Sequence, residues 1–209
     1  MNVKKYKSLA TFLLTIITAV CLTACSSQPK LPSLAKDSVI VAFGDSLTFG
    51  TGAELAESYP AVLEKIIGRS VVNYGIPGEV TSEGLSRLPE ILDSQKPALL
   101  LLCHGGNDQL RNLNQQQAAN NLREMIRSAQ KRKVSVLLIA VPAPALSLSP
   151  PSMYREIAEE FSVPIEEKSL SSILADSSLK SDYIHPNAAG YRRLAESIAT
   201  LLRKSGAID

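Results

Sequence analysis

One serine and one Asp/His pair stand near opposite ends of the sequence, in settings that suit nucleophilic catalysis. Ser46 lies in F-G-D-S-L-T-F-G, directly after a short apolar run, and Asp182 and His185 lie in D-Y-I-H-P-N near the C-terminus. A serine hydroxyl is a weak nucleophile, so it needs a base to take its proton and a third group to orient that base. An aspartate three residues before a histidine can bind Nδ1 and leave Nε2 facing the serine. Taken singly, Ser46 could also be a helix N-cap, and the pair could be a turn residue and a surface residue.

Two glycine-containing segments could supply hydrogen bonds to an oxyanion. Asn107 stands in H-G-G-N-D and has a side-chain amide that could donate to a tetrahedral intermediate. Gly78 stands in I-P-G-E and would offer an unobstructed backbone N–H. Both segments are also typical of ordinary turns. His104 is an alternative base to His185, although no acid stands three residues before it.

Three other reactive side chains near these segments are interpreted as structural. Asp45 and Asp108 stand in turn motifs, where aspartates commonly hold local backbone N–H groups. Cys103 ends an apolar run, where a cysteine usually behaves as a small hydrophobic residue. We therefore expect none of the three to react with substrate.

The elements that must position these residues alternate between strand and helix. Helical periodicity appears between the apolar runs, for example from Ala118 to Ala129 and from Tyr191 to Leu202. Such alternation predicts a single α/β domain whose parallel sheet is covered by helices on both faces. The predicted strands are Val39–Phe43, Val71–Tyr74, Ala98–Cys103, Val134–Val141 and Val163–Ile165.

The N-terminus is typical of an export signal. Three lysines precede the apolar run from Leu9 to Val20, which is too short to span a bilayer comfortably, and L-T-A-C then ends at Cys25. This segment resembles the bacterial lipobox, which implies lipidation of Cys25. The prediction is a signal peptide over residues 1–24, a lipidated tether over 25–37 and a catalytic domain over 38–209. The chain would be an exported, membrane-anchored lipoprotein, held in the outer membrane if the cell is Gram-negative; an uncleaved membrane anchor is the alternative.

Composition excludes several other classes of protein. The net charge of +2 becomes −1 once the leader lysines are lost, and no basic stripe with interleaved aromatics indicates nucleic-acid binding. Cys103 has no partner for a disulfide if Cys21 leaves with the leader and Cys25 is lipidated. With only two histidines, His104 and His185, no metal-ligand cluster of known spacing is present. We expect a monomer without metal or cofactor.

Taken together, the four motifs resemble the SGNH/GDSL hydrolase superfamily, and especially its bacterial thioesterase, arylesterase and lysophospholipase branch. The resemblance implies a three-layer α/β/α sandwich with a central parallel sheet of about five strands. It implies Ser46 as nucleophile, with Asp182 and His185 completing the triad. It also implies an oxyanion hole made by the backbone of Ser46, the backbone of Gly78 and the side chain of Asn107. Two positions depart from the usual pattern: Glu79 stands where some members have Asp, and His104 where an apolar or small residue is common.

The expected activity is hydrolysis of carboxylic esters through an acyl-enzyme. The resemblance implies short- to medium-chain acyl esters, aryl esters or lysophospholipids as substrates, whereas export argues against acyl-CoA thioesters. An O-acetylesterase of cell-wall or surface carbohydrate is the alternative enzyme, although the chain has no tryptophan to stack on sugars. A non-catalytic surface-binding lipoprotein is the alternative from another class.

Overall fold

Five parallel strands form the centre of the protein. The computed structural model of the chain describes residues 29–143 and 148–209. Across the sheet the strands run in the order β2-β1-β3-β4-β5, and each pairs with its neighbours in parallel. All five residues of β1 and of β3 are buried, as expected when helices cover both faces of a parallel sheet. The strands are β1 Ile40–Gly44, β2 Val71–Gly75, β3 Leu99–Cys103, β4 Ser135–Ile139 and β5 Ile165–Glu166.

Helices form a layer on each side of this sheet. The α-helices are α1 Ser46–Phe49, α2 Tyr59–Ile67, α3 Thr81–Gln95, α4 Gly106–Leu110, α5 Gln115–Lys131, α6 Met153–Phe161, α7 Ser169–Ala175 and α8 Ala188–Lys204. Helices α2 and α7 pack against α8, while α3 and α6 pack against α5. Short 3₁₀ turns at Leu55–Glu57 and Ser177–Leu179 complete the described elements. The predicted three-layer α/β/α fold is thus confirmed.

The details differ from the sequence prediction at the strand ends and in several helices, and two of these differences have a clear physical reason. The fifth strand is Ile165–Glu166 instead of Val163–Ile165, because Pro164 has no N–H to donate and pairs with Leu138 only through its carbonyl oxygen. Helix α3 was not predicted, because Gly84 and Pro89 both disfavour a helix interior. Its buried apolar face supplies the stabilisation that local propensity does not.

Parallel connectivity brings the motif-bearing loops to one edge of the sheet. Gly44 is in register with Gly75 on one side and with Cys103 on the other, so the loops that follow β1, β2 and β3 begin side by side. The first described residues lie at the other edge, where the Leu31 and Leu34 N–H groups donate to carbonyls just beyond the end of α8. The proposed signal peptide and Cys25 lie outside the described residues. Within the described part of the chain, no helix is long and apolar enough to cross a bilayer.

Candidate active site

Ser46 is the first residue of the short helix α1, directly beyond the carboxyl end of β1. Asp45 caps this helix, since its carboxylate accepts the Leu47 N–H at 3.0 Å, and Gly50 ends it with φ +103°. Gly44 allows the tight path from strand to helix, because a Cβ there would collide with the Cys103 carbonyl. Asp45 is buried, and burial raises the pKa of its carboxyl. Asp45 therefore holds the backbone around Ser46, as the sequence analysis expected.

The structure brings Ser46, His185 and Asp182 into one hydrogen-bonded chain. His185 Nε2 lies 3.0 Å from Ser46 Oγ, and His185 Nδ1 lies 2.7 Å from Asp182 Oδ2. A carboxylate can only accept, so Nδ1 carries the ring proton and Nε2 is free to accept the serine proton. Ser46 can thus give up its proton to His185 as its oxygen attacks an electrophile.

Asp182 also organises the loop that carries His185. Its Oδ1 accepts the Ile184 N–H at 2.8 Å and the His185 N–H at 2.9 Å. Although desolvation raises its pKa, the hydrogen bonds from His185 and these backbone N–H groups hold the pKa of Asp182 below the ordinary 3.8. The Asp182 carboxyl is therefore ionised at neutral pH, as its role in orienting the imidazole requires.

Backbone contacts fix this loop between the last 3₁₀ turn and α8. The Ser181 N–H donates to the His185 carbonyl at 2.9 Å, and Lys180 forms an antiparallel bridge with Pro186. Asn187 then caps α8 by accepting the Gly190 N–H at 3.1 Å. The imidazole is consequently attached to a rigid helix start rather than to a free loop end.

The loops after β2 and β3 meet beside Ser46. Asn107 is the second residue of α4, and its amide Nδ2 donates to the Glu79 carbonyl at 2.9 Å, which leaves one amide hydrogen for another acceptor. Gly78 precedes Glu79 and has φ +82°, in the region that favours glycine. Arg111 donates to the Gly78 carbonyl at 2.6 Å. The two residues expected to stabilise an oxyanion are therefore held close together.

Two side chains considered as alternative reactive groups occupy other positions. His104 is fully buried; its Nε2 lies 3.1 Å from Glu79 Oε2, and its Nδ1 accepts the Gly105 N–H at 3.0 Å. Both ring nitrogens are therefore engaged away from Ser46. Cys103 is also fully buried, and burial raises the pKa of its thiol well above the ordinary value, so it packs as a neutral core residue.

Asp108 is likewise engaged within the fold. Its carboxylate accepts the Thr81 N–H at 2.9 Å and the Thr81 hydroxyl at 2.6 Å, and Asn121 donates to the same hydroxyl at 2.9 Å. This contact ties α4 to the start of α3.

Sequence reasoning did not identify the role of Glu79 and Arg87. Arg87 lies on α3, eight residues after Glu79 in the sequence, and donates to both of the Glu79 carboxylate oxygens, at 2.6 and 2.7 Å. The only signals in the sequence were a glutamate after the oxyanion glycine and a histidine inside an apolar segment. Neither signal by itself predicts that Glu79 pairs with Arg87 or with His104.

A cleft opens in front of Ser46 and His185. Its walls are mainly apolar, and Tyr183 at its mouth is 89% exposed. An apolar cleft with a few convergent polar groups is the usual form of a small-molecule site. Within residues 29–143 and 148–209, no group of three or more His, Cys, Asp or Glu side chains is placed to hold a metal ion. The apolar residues that line the cleft are Leu47, Leu110, Val141, Pro142, Ala143, Leu148, Leu174 and Ile184.

Comparison with known proteins gives concordant matches. Residues 42–193 match the GDSL-like lipase/acylhydrolase family. The chain is 30% identical to Escherichia coli thioesterase 1/protease 1/lysophospholipase L1, over 81% of this chain and 85% of that protein. It is 29% identical to esterase TesA of Pseudomonas aeruginosa, over 88% of this chain and 98% of that protein. Among solved structures, AlinE4, an SGNH-hydrolase family esterase, superposes with a TM-score of 0.63 and 32% identity, covering 82% of this chain and 98% of that one.

Proposed function

The chain belongs to the GDSL-like lipase/acylhydrolase family and is a serine ester hydrolase, and from this premise we propose that Ser46, His185 and Asp182 are its catalytic triad. The observation that carries the proposal is the continuous hydrogen-bonded chain from Ser46 Oγ through the imidazole to the Asp182 carboxylate. These three hydrogen-bonded residues lie at the carboxyl edge of the sheet, where ligands of open parallel sheets bind.

The first half of the reaction forms an acyl-enzyme. His185 Nε2 takes the proton of Ser46 as Oγ attacks the ester carbonyl carbon, and Asp182 stabilises the resulting imidazolium. The Ser46 N–H, the Gly78 N–H and the Asn107 amide stabilise the oxyanion of the tetrahedral intermediate. The carbon–oxygen bond to the alcohol then breaks, and the alcohol leaves with the proton from His185.

The second half returns the enzyme to its starting state. His185 takes a proton from water as the water oxygen attacks the acyl carbon, and the same donors stabilise the second oxyanion. The bond to Ser46 Oγ breaks, the serine recovers its proton and the carboxylic acid leaves. Apart from the ester and the water molecule, every group that takes part in these steps belongs to this chain.

The proposed substrates are short- to medium-chain acyl esters, aryl esters and lysophospholipids. The printed names of the relatives include esterase, lysophospholipase and, in Vibrio mimicus, arylesterase. The mainly apolar lining of the cleft supports this class, because an acyl or aryl group entering it would lose contact with water. Tyr183 is the one aromatic residue among the described lining residues, so the site offers less stacking surface than a carbohydrate O-acetylesterase would use.

We further propose that the enzyme is an exported monomer, anchored to a bacterial envelope membrane through lipid on Cys25. The described chain supports a separation between anchor and catalyst. Lys30 donates to the Lys204 carbonyl at the C-terminal end of α8, whereas His185 lies just before its N-terminal end. A helix of 17 residues places these ends about 25 Å apart, so the chain that follows Cys25 enters the domain far from the cleft.

Steady-state kinetics on soluble aryl esters test the triad. Ser46→Ala and His185→Ala should each lower kcat by roughly 10⁴- to 10⁶-fold, and the double variant should lose little more, because the two residues act as a unit. Lys36→Ala, an exposed substitution near the N-terminus, is the control and should keep the wild-type rate. If folded Ser46→Ala retained a tenth of the activity, the chain would not use this triad.

A further inference from the structure

A largely buried cluster of three polar side chains, Glu79, Arg87 and His104, lies beneath the loops of the proposed oxyanion hole, with the Arg87 side chain 20% exposed. Glu79 is 6% exposed and His104 is fully buried. The Arg87 guanidinium lies 4.0 Å above the Phe43 ring while it pairs with both Glu79 oxygens. A buried carboxylate is costly unless it is paired, and Arg87 donates to both oxygens of Glu79.

The hydrogen bonds define the protonation of His104. Its Nδ1 accepts the backbone N–H of Gly105, so that nitrogen carries no proton, and the neutral ring donates from Nε2 to Glu79 Oε2. The ring fits against α3 because residue 84 is glycine; a Cβ there would collide with Nε2. Gly84 therefore leaves the space on α3 that the His104 ring occupies.

The cluster connects the ends of three strands. Arg87 donates to the Tyr74 carbonyl at 2.9 Å on β2 and to the Gly44 carbonyl at 3.3 Å on β1, while His104 directly follows β3. Glu79 is also joined to the loop after β3 through its backbone, because its carbonyl accepts the Asn107 amide. Every loop that carries a proposed oxyanion donor therefore leaves a strand whose end the cluster contacts.

We propose that Glu79, held by Arg87 and His104, is a positioning residue that fixes the spacing of the oxyanion donors on Ser46, Gly78 and Asn107. The inference rests on the proposed function for the identity of those donors. Donors contribute to catalysis only when they are aimed at the developing charge, and a misplacement of about 1 Å can cost on the order of 100-fold. The side chains of the cluster do not line the cleft, so they act on the rate through the loops.

Two substitutions break the cluster without altering the cleft. His104→Leu removes the hydrogen bond to Glu79 while an apolar side chain still fills the space of the ring. Glu79→Gln places an amide N–H against an N–H donor of Arg87 or His104. Each should lower kcat by roughly 10- to 100-fold and change KM less than about threefold, because the oxyanion forms after binding. The double variant should fall no further than the worse single one, because both remove the same link.

Affinity for a tetrahedral analogue separates positioning from general damage. An alkylboronic acid, which forms a tetrahedral adduct with a catalytic serine, should bind each variant more weakly by about the same factor as kcat/KM falls. The control Glu160→Gln removes an exposed carboxylate that pairs with Arg123 and Arg127, and it should change neither quantity. The control Ile198→Val removes a methyl group from the buried face of α8. It should lower the Tm and keep kcat within twofold of wild type.

Two outcomes would overturn the proposed positioning role. Folded His104→Leu and Glu79→Gln with kcat within twofold of wild type would show that the cluster only stabilises the fold. A higher KM at unchanged kcat would show a binding role instead, and would equally overturn the proposal. If Glu79→Gln failed to fold, His104→Leu would decide alone, because it removes no charge.

An amide spectrum keeps this test separate from the proposed function. The ¹⁵N signals of the Gly78 N–H and of the Asn107 side chain should shift in His104→Leu and stay fixed in Glu160→Gln, whether or not turnover is measured. Unchanged signals would contradict the positioning role. Absence of ester hydrolysis by the wild type would instead contradict the proposed function, and the spectrum would still decide on the cluster.

Discussion

Replacing Asp182 by asparagine should inactivate the enzyme while leaving its loop in place. In the wild type, Asp182 Oδ1 accepts two backbone N–H groups and Oδ2 faces His185 Nδ1. An asparagine keeps both backbone hydrogen bonds only if its carbonyl oxygen takes the Oδ1 position. Its NH₂ group must then face Nδ1, and two N–H donors cannot face each other.

The imidazole must therefore move its proton to Nε2, the nitrogen that has to accept the proton of Ser46. A wrong tautomer of this kind costs about 10⁴-fold in kcat, or about 5.4 kcal/mol at 1.36 kcal/mol for each factor of ten. Loss of charge alone would cost far less, because the Asp182 side chain is half exposed. Exposed ion pairs contribute about 0–1 kcal/mol, equivalent to at most about a fivefold effect.

Aryl-ester kinetics with a matched control distinguish these two accounts. Asp176 is an exposed aspartate whose Oδ1 also accepts a backbone N–H and a hydroxyl, both from Ser178, but it has no histidine partner. Asp176→Asn should keep kcat within about twofold, whereas Asp182→Asn should lose about 10⁴-fold with little change in Tm. A loss below tenfold in folded Asp182→Asn would refute the tautomer argument.

Three further predictions concern the oxyanion hole, the buried cluster and the anchor. Asn107→Ala should lower kcat by on the order of 10² to 10³ with a much smaller change in KM; unchanged kcat would make Asn107 a turn residue. Although burial raises the pKa of Glu79, the hydrogen bonds from His104 and Arg87 hold it below its ordinary 4.5. The stabilisation from ionised Glu79 is therefore present above that value and is lost as the pH falls through the lowered pKa. The Tm of Glu79→Gln should accordingly fall less steeply with acid than that of wild type, and parallel curves would contradict this. Cys25→Ser should abolish lipidation, which the intact mass would show as the loss of the acyl groups. Residues 30–209 alone should hydrolyse soluble esters. If this domain were folded but inactive, the anchor would have a role in catalysis.

Much of the fold and of the site could be predicted from the sequence, because both rest on strong local patterns. Continuously apolar runs such as Leu99–Cys103 indicate buried parallel strands, and such strands place Ser46 and Asn107 at one edge. The spacing of Asp182 and His185 predicts their contact, because three residues on a tight loop leave the carboxylate few other partners.

The parts that were missed depend on contacts between distant segments. Helix α3 forms despite Gly84 and Pro89 because tertiary burial outweighs local propensity. The same glycine makes room for His104, a relation that becomes visible only when the segment after β3 packs against α3. The pairing of Glu79 with His104 likewise joins residues on different loops, and no pattern in either segment predicts it.

The most direct test of the central claim is to locate the nucleophile chemically. The purified domain is treated with an alkyl fluorophosphonate, and the adduct is mapped by peptide mass spectrometry while ester hydrolysis is followed in parallel. The account predicts one adduct per chain on Ser46, loss of activity in proportion to labelling, no adduct in Ser46→Ala and very slow labelling of His185→Ala. An adduct on another residue that accounts for the inactivation, or hydrolysis that continues after Ser46 is fully labelled, would contradict it.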